Sequence, residues 1–288
     1  MKIRKIFVSI LAVVMMMVSA FCFTACEDIV TIEVKFQAYD YENAKMYEDG
    51  EITLSIDLYR HLAPETVASV IKNVNDGLYN NALVYKTETN SNQYMIGDLK
   101  YNEDGEIIQV NAPEIKGEFA SNGVTGSNLK FEKGSVGIWR SYYACDSGVA
   151  VSSEARNTGR ATWFLPTEST SIYQGHMCIF GKVDFSDDTA ETVYDVFKAI
   201  FDESERYVEY QVYYTGTYDE TKADENYGLT FNIALADNFK DVKDDIEDLF
   251  ETDDEKQQLK IYDPYIIKVP VVTRDGAHSL KVASVTVK

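Results

Sequence analysis

Positive charge is what this 288-residue chain has least of: 27 Lys plus Arg stand against 47 Asp plus Glu, for a formal charge of −20 and a pI near 4.5. That balance excludes a phosphate-binding surface, and with it nucleic acid as a partner. Five prolines and 16 glycines are too few for a collagenous or low-complexity chain. The three histidines, His61, His176 and His278, include no pair at ligand spacing, which argues against a zinc site. Motifs of the forms G-x-S-x-G, H-E-x-x-H, C-x-x-C and the Walker loop are missing, so the ordinary hydrolytic and nucleotide chemistries lack their residues. No metal and no cofactor is implied. Four cysteines are no disulfide framework.

What remains is an ordinary globular composition, 45% hydrophobic and 26% charged, in a chain long enough for one enlarged domain or a domain with an appendage. Twenty tyrosines and 14 phenylalanines tilt the expectation toward strands, where flat amphipathic rings suit a half-buried pleated surface.

Residues 1–26 read MKIRKIFVSILAVVMMMVSAFCFTAC, with Lys2, Arg4 and Lys5 ahead of an apolar run and a small-residue step before cysteine, the layout of a secretory signal. The run Ile6 to Ala25 is also long enough to span a bilayer, so an uncleaved anchor helix is the alternative. The cysteine favours cleavage: Phe23, Thr24, Ala25 and Cys26 resemble a bacterial lipobox, in which the sulfur is acylated and becomes part of the new N-terminus. The reading is therefore a signal peptide over 1–25, lipid attachment at Cys26, and a domain over 26–288 held at the outer face of the bacterial cell membrane. A diacyl anchor supplies the two chains that stable attachment needs. Cys145 and Cys178 are left over, and their pairing is undecided.

Along the exported part, IVTIEVKF from Ile29 and ITLSIDLY from Ile52 alternate as strands do. APETVASVIKNVNDG follows, with Pro64 suited to a first helical turn, Val67, Val70, Ile71 and Val74 on one face, and Gly77 as a stop. Leu83 to Tyr85, Gln93 to Ile96, Lys130 to Phe131, Val136 to Trp139 and Trp163 to Leu165 read as short strands. A second helix is signalled by Asp188 and Glu191 in capping-box spacing, then Val193, Val196, Phe197 and Ile200. Tyr207 to Tyr214, Leu229 to Leu235, Tyr265 to Thr273 and Leu280 to Val287 are strand-like, and Phe239, Val242, Ile246 and Leu249 keep helical spacing among acids. The rhythm is that of a mainly β barrel or sandwich with two packed helices.

In their order these pieces resemble the cyclophilins. Residues 52–86 are similar to that family's opening strand, its A-P-x-T-V helix start, its G-x-Y turn and its F-H-R strand. Gly97 and Asp98 resemble the end of Q-G-G-D, Glu118 and Phe119 the D/E-F step, Gly134 to Ile138 the G-x-x-x-M strand, Asn157 to Gly159 with Ala161 to Leu165 the N-T-N-G-S-Q-F-F-I segment, and Gly175 with Ile179 to Val183 the G-x-H-V-V-F-G-K-V strand. The resemblance implies an eight-stranded antiparallel β-barrel capped by two α-helices, with a groove on its outer wall for X-Pro peptides, and therefore peptidyl-prolyl cis-trans isomerase-like function on segments of exported proteins. Insertions fall at about 140–156 and 207–259, the latter an added α/β segment.

By the same resemblance Lys86 stands where the family has its catalytic arginine, and Phe164 is the pocket phenylalanine. Substrate contacts would come from Met95 or Gln93 at the glutamine of Q-G-G-D, Thr162 at that of S-Q-F-F, Ile172 near the usual tryptophan and Met177 at the usual histidine. Lysine donates as a mobile point charge without the planar fork of arginine. A non-catalytic proline-peptide-binding protein with a degenerate groove is the second reading.

Overall fold

In the computed structural model, which describes residues 28–48, 50–87, 93–124, 129–140, 156–169, 171, 174–215, 230–238 and 265–288, strict alternation builds the first strand. β1 spans Ile29–Asp40, and every second residue from Val30 to Asp40 is buried. After the short β2 (Lys45–Met46), β3 (Thr53–Tyr59) repeats the pattern with Leu54, Ile56 and Leu58 inside. The first helix, α1, runs Pro64–Asn75 and buries Val67, Val70 and Val74. Its first turn has no side-chain cap of its own. Glu118 supplies one from far along the chain, accepting from the N–H groups of Glu65 at 3.1 Å and Thr66 at 2.7 Å, which satisfies two donors the helix cannot. At the other end Gly77, at φ +68°, turns the chain out through a left-handed conformation.

β4 (Val84–Thr87), β5 (Gln93–Ile96), the hairpin β6 (Leu99–Tyr101) and β7 (Ile107–Gln109), β8 (Ser135–Ile138), β9 (Trp163–Pro166) and β10 (Cys178–Val183) follow. The second helix, α2, covers Thr189–Phe201. Its expected capping box does not form: Asp188 has helical dihedrals and no side-chain cap bond. Asp187 accepts from Thr189 N at 2.9 Å instead, and those bonds to Thr189 hold its carboxyl below the ordinary value. The chain ends with β11 (Tyr207–Thr215), β12 (Thr230–Leu235), β13 (Tyr265–Pro270) and β14 (Leu280–Val287).

Hydrogen-bonded neighbours run β4-β5-β9-β8-β10-β3-β1-β14, all antiparallel. The ring closes where Leu83 bridges Lys281 and where Val282 N donates to Ala82 O at 2.8 Å. Eight strands thus form the expected barrel. Beyond that closure β4 exchanges partners: Lys86 and Thr87 pair with Lys268 and Ile267 of β13, which carries β11 and then β12 outward as a sheet extension. One buried cluster fills the barrel and the helix contacts, with Phe36, Leu54, Ile56, Trp163, Phe180, Phe197 and Val282 among its members. A second lies on the outer wall.

One expectation is corrected and three fall elsewhere. Lys130 and Phe131 form no strand; Phe131 is a loop residue buried in the outer cluster. The acidic helical pattern from Phe239, most of the 140–156 insertion, and residues 1–27 with Cys26 lie outside the described residues. Among the described residues no helix is long and apolar enough to cross a membrane.

Candidate functional site

Residues directly opposite one another on paired strands share a face, so register alone assembles the outer wall. Tyr85 faces Met95, Met95 faces Phe164, and Phe164 faces Gly137, a row across β4, β5, β9 and β8. Glycine is required at the end of this row: a Cβ at position 137 would lie 2.1 Å from Cζ of Phe164. The next row carries Thr87, Gln93 and Pro166.

Phe164 is fully buried and Met95, Met177 and Gln93 nearly or wholly so. The cover is supplied by the chain itself. Phe131 stacks on Phe164 with ring centroids 5.1 Å apart and planes at 27°, Trp139 meets the same ring edge-on at 6.1 Å, and Val212, Ile267 and Val269 of the sheet extension belong to the same cluster. The apolar seat is therefore occupied by protein side chains.

Within this layer two polar side chains have no partner among the described residues. Both atoms of the Gln93 amide and the Thr87 hydroxyl are buried without a hydrogen bond. Leaving such a group unpaired costs about 1–3 kcal/mol, so this corner stores a demand for a donor and an acceptor. Past the other end of β5, Asp98 is buried and accepts from the Tyr85 hydroxyl at 2.8 Å. Burial pushes its carboxyl above the ordinary value, and bonds from Tyr85 and Thr162 offset part of that rise. Thr162 thus contributes as a support for Asp98, and its carbonyl accepts from Trp139 N at 2.9 Å.

The structure brings Phe164, Met95, Gln93, Thr162 and Met177 to one side of the wall, and it separates Lys86 from them. Lys86 lies opposite Tyr94 and Lys268, and Tyr94 packs into the rings of Tyr194, Phe197 and Phe201 on α2. A single step along a strand changes the face, so Tyr85, and not Lys86, shares the face of Met95. Ile172 lies outside the described residues. His176 precedes β10, and its Nδ1 is buried without a partner. Cys178 is a free, buried thiol 3.4 Å from the Thr66 hydroxyl, and burial pushes it up to about 12; Cys145 lies outside the described residues.

The sequence reading missed Tyr85, Thr87, Phe131 and Trp139. The first two follow from Met95 and Gln93 by the period of two once the hairpin register is known. Phe131 carried no signal beyond its hydrophobicity.

Residues 44–213 match the family described as cyclophilin type peptidyl-prolyl cis-trans isomerase/CLD. Among solved structures, a cyclophilin type peptidyl-prolyl cis-trans isomerase of Cryptosporidium parvum is similar at 16% identity over 57% of this chain and 83% of that one, with a TM-score of 0.38. The same protein crystallised in the presence of the dipeptide Ala-Pro is similar at 15% identity over 57% and 84%, with a TM-score of 0.36. No curated protein matches.

Proposed function

Since the chain belongs to the cyclophilin-type peptidyl-prolyl cis-trans isomerase family, we propose that it is a lipid-anchored protein of the bacterial envelope that binds X-Pro segments of exported proteins in the outer-wall groove, assisting their folding by holding more than by turning. The observation that carries this is the unpartnered Gln93 amide and Thr87 hydroxyl, buried on the face of Met95 and Phe164. A peptide entering there brings a carbonyl for the amide's N–H and an N–H for its oxygen. The proline ring takes the place on Phe164 that Phe131 now fills. Binding thus exchanges one ring stack for another and satisfies two polar groups that are otherwise orphaned.

Turning the bond asks for more. The X-Pro barrier is about 18–20 kcal/mol, and lowering it requires a donor that favours a pyramidal prolyl nitrogen together with fixed groups for the rotating carbonyl. Lys86 points away from this face, and the Tyr85 hydroxyl is committed to Asp98. The seat is kept while the cationic donor is not. Attachment at Cys26 would place β1, which starts at Ile29, within a few residues of the bilayer and the groove among newly exported chains.

Titrating the full chain with an Ala-Pro-containing peptide, with isomer exchange followed by NMR, tests the proposal. Binding with little acceleration of exchange is the expected result, together with tighter binding by Phe131→Ala and unchanged behaviour of Lys86→Ala. Absence of binding by both the parent and Phe131→Ala would overturn the groove assignment. An exchange rate that Lys86→Ala abolishes would restore the enzyme reading. Loss of fatty-acid labelling in Cys26→Ser, with labelling kept in Cys22→Ser, tests the anchor.

A further inference from the structure

Between the turn that follows β1 and the outward side of α2 lies a cavity of about 550 Å3 that shares no residue with the groove. Its size is that of a small-ligand site, which runs from about 300 to 1,000 Å3. Three tyrosines line it, Tyr39, Tyr41 and Tyr47, with Glu42, Asp195 and Arg206. Tyr39 and Tyr41 meet edge to face with centroids 4.9 Å apart. The guanidinium of Arg206 sits 4.5 Å over the Tyr41 ring, and its Nη1 donates to the carbonyl of Ala199 at 2.5 Å. One aromatic face thus already holds a cation, as the ring quadrupole favours.

The charges around it are left unbalanced. Asp40, the third acid of the wall, is spent on its own turn, accepting from Glu42 N, Asn43 N and Asn43 Nδ2. Glu42 and Asp195 take part in no ion pair among the described residues, and neither does Arg206. The hydroxyl of Tyr41 is buried with no hydrogen-bond partner. Burial and the carboxylates of Asp40, Glu51 and Glu42 push the Tyr47 phenol above its ordinary range, as a negative local potential does. The space is walled by rings that accept an aliphatic stem, has two carboxylates that lack a counter-ion, and keeps a guanidinium with donors to spare.

From these features we infer that the cavity is a second peptide site, taking a lysine or arginine side chain of a polypeptide segment. The stem lies among the tyrosine rings and the cationic head reaches Glu42 and Asp195, an arrangement that buries methylenes while the charge stays paired. A main-chain carbonyl of the segment accepts from Arg206, and the Tyr41 hydroxyl gains a partner. The formal charge of −20 draws basic segments toward the surface in the first place. The site stands on residues separate from the X-Pro groove, and its ligand needs no proline.

Calorimetric titration of the full chain with acetyl-Gly-Lys-Gly-amide, its norleucine twin and its glutamate twin decides the matter, because none of the three contains proline. The lysine peptide should bind at least about tenfold tighter than the norleucine one, and added salt should narrow that gap. In the double variant Glu42→Gln, Asp195→Asn the lysine peptide should lose about tenfold in affinity with no change in melting temperature. Equal affinity for the lysine and norleucine peptides, preference for the glutamate peptide, no binding of any, or full binding by the double variant would each overturn the site. A positive result here with no Ala-Pro binding would remove the groove and leave this cavity standing.

Discussion

Position 86 illustrates how much depends on the face from which a side chain leaves a four-residue strand. Opposite Tyr94 and Lys268, Lys86 is turned toward α2, so its removal should leave peptide binding untouched. Phe164, with its ring wholly buried between Phe131, Trp139 and Gly137, behaves as core: Phe164→Ala should cost about 3–5 kcal/mol of unfolding free energy in a denaturant titration. A smaller loss would mean that the ring is not packed as described. Gly137→Ala attacks the same contact from the other side and should cost about 1–3 kcal/mol. Asp98 offers a pH test. Its carboxyl is pushed above 3.8 by burial, so the folded chain keeps a proton that the unfolded chain releases, and unfolding is favoured as pH rises from that value through the raised one. The stabilising contribution is fully present at the acid end of that window and is lost across it. Asp98→Asn keeps an acceptor for the Tyr85 hydroxyl and cannot ionise, so its stability relative to the parent should climb over the same range. A flat difference between the two proteins would refute the linkage.

Helix ends show what local spacing reveals and what it hides. Both helices were readable from the period of their apolar residues, Val67, Val70 and Val74 in one and Val193, Phe197 and Ile200 in the other, because a buried face repeats along the chain itself. The barrel strands were readable for the same reason, from the alternation in β1 and β3. Caps are not periodic. In α2 the spacing of Asp188 and Glu191 indicated a capping box, yet the carboxylate one residue earlier makes the bond, since Asp188 has already entered helical dihedrals. In α1 the cap comes from Glu118, 53 positions beyond Glu65, where no local pattern can announce it. Glu118→Ala should therefore cost about 1–3 kcal/mol, two helix donors, that of Thr66 buried, losing their acceptor. Asp187→Ala should lower the melting temperature more than Asp188→Ala, and the reverse order would return the cap to Asp188. The site was half readable on the same terms: residue types were visible along the chain, whereas register across β4 and β5 is a relation between strands, and a one-residue slip reverses every face.

The sheet extension changes what surrounds the barrel's outer wall. Leu83, immediately before β4, joins the ring through Lys281, while Lys86 and Thr87 of β4 pair with β13. One short strand is therefore both a stave of the barrel and the root of the extension, and the extension's Val212, Ile267 and Val269 roof the groove. Opening the groove and loosening β13 are in this sense one event.

The seam of the ring has a further consequence in time. β1, the first of the described strands, is bonded on one side to β14, the last of them, with Ile32 opposite Val287, and β14 reaches Leu83, just ahead of β4, through Lys281. A polypeptide that emerges from a ribosome or an export channel N-terminus first has its opening strand long before its closing one. Until Leu280–Val287 has been made, the edges of β1 and of the Leu83 segment that β14 covers stay open, and no arrangement of the intervening strands can stitch them. For that interval the chain is an unfinished sheet, with an open edge that only β14 can cover.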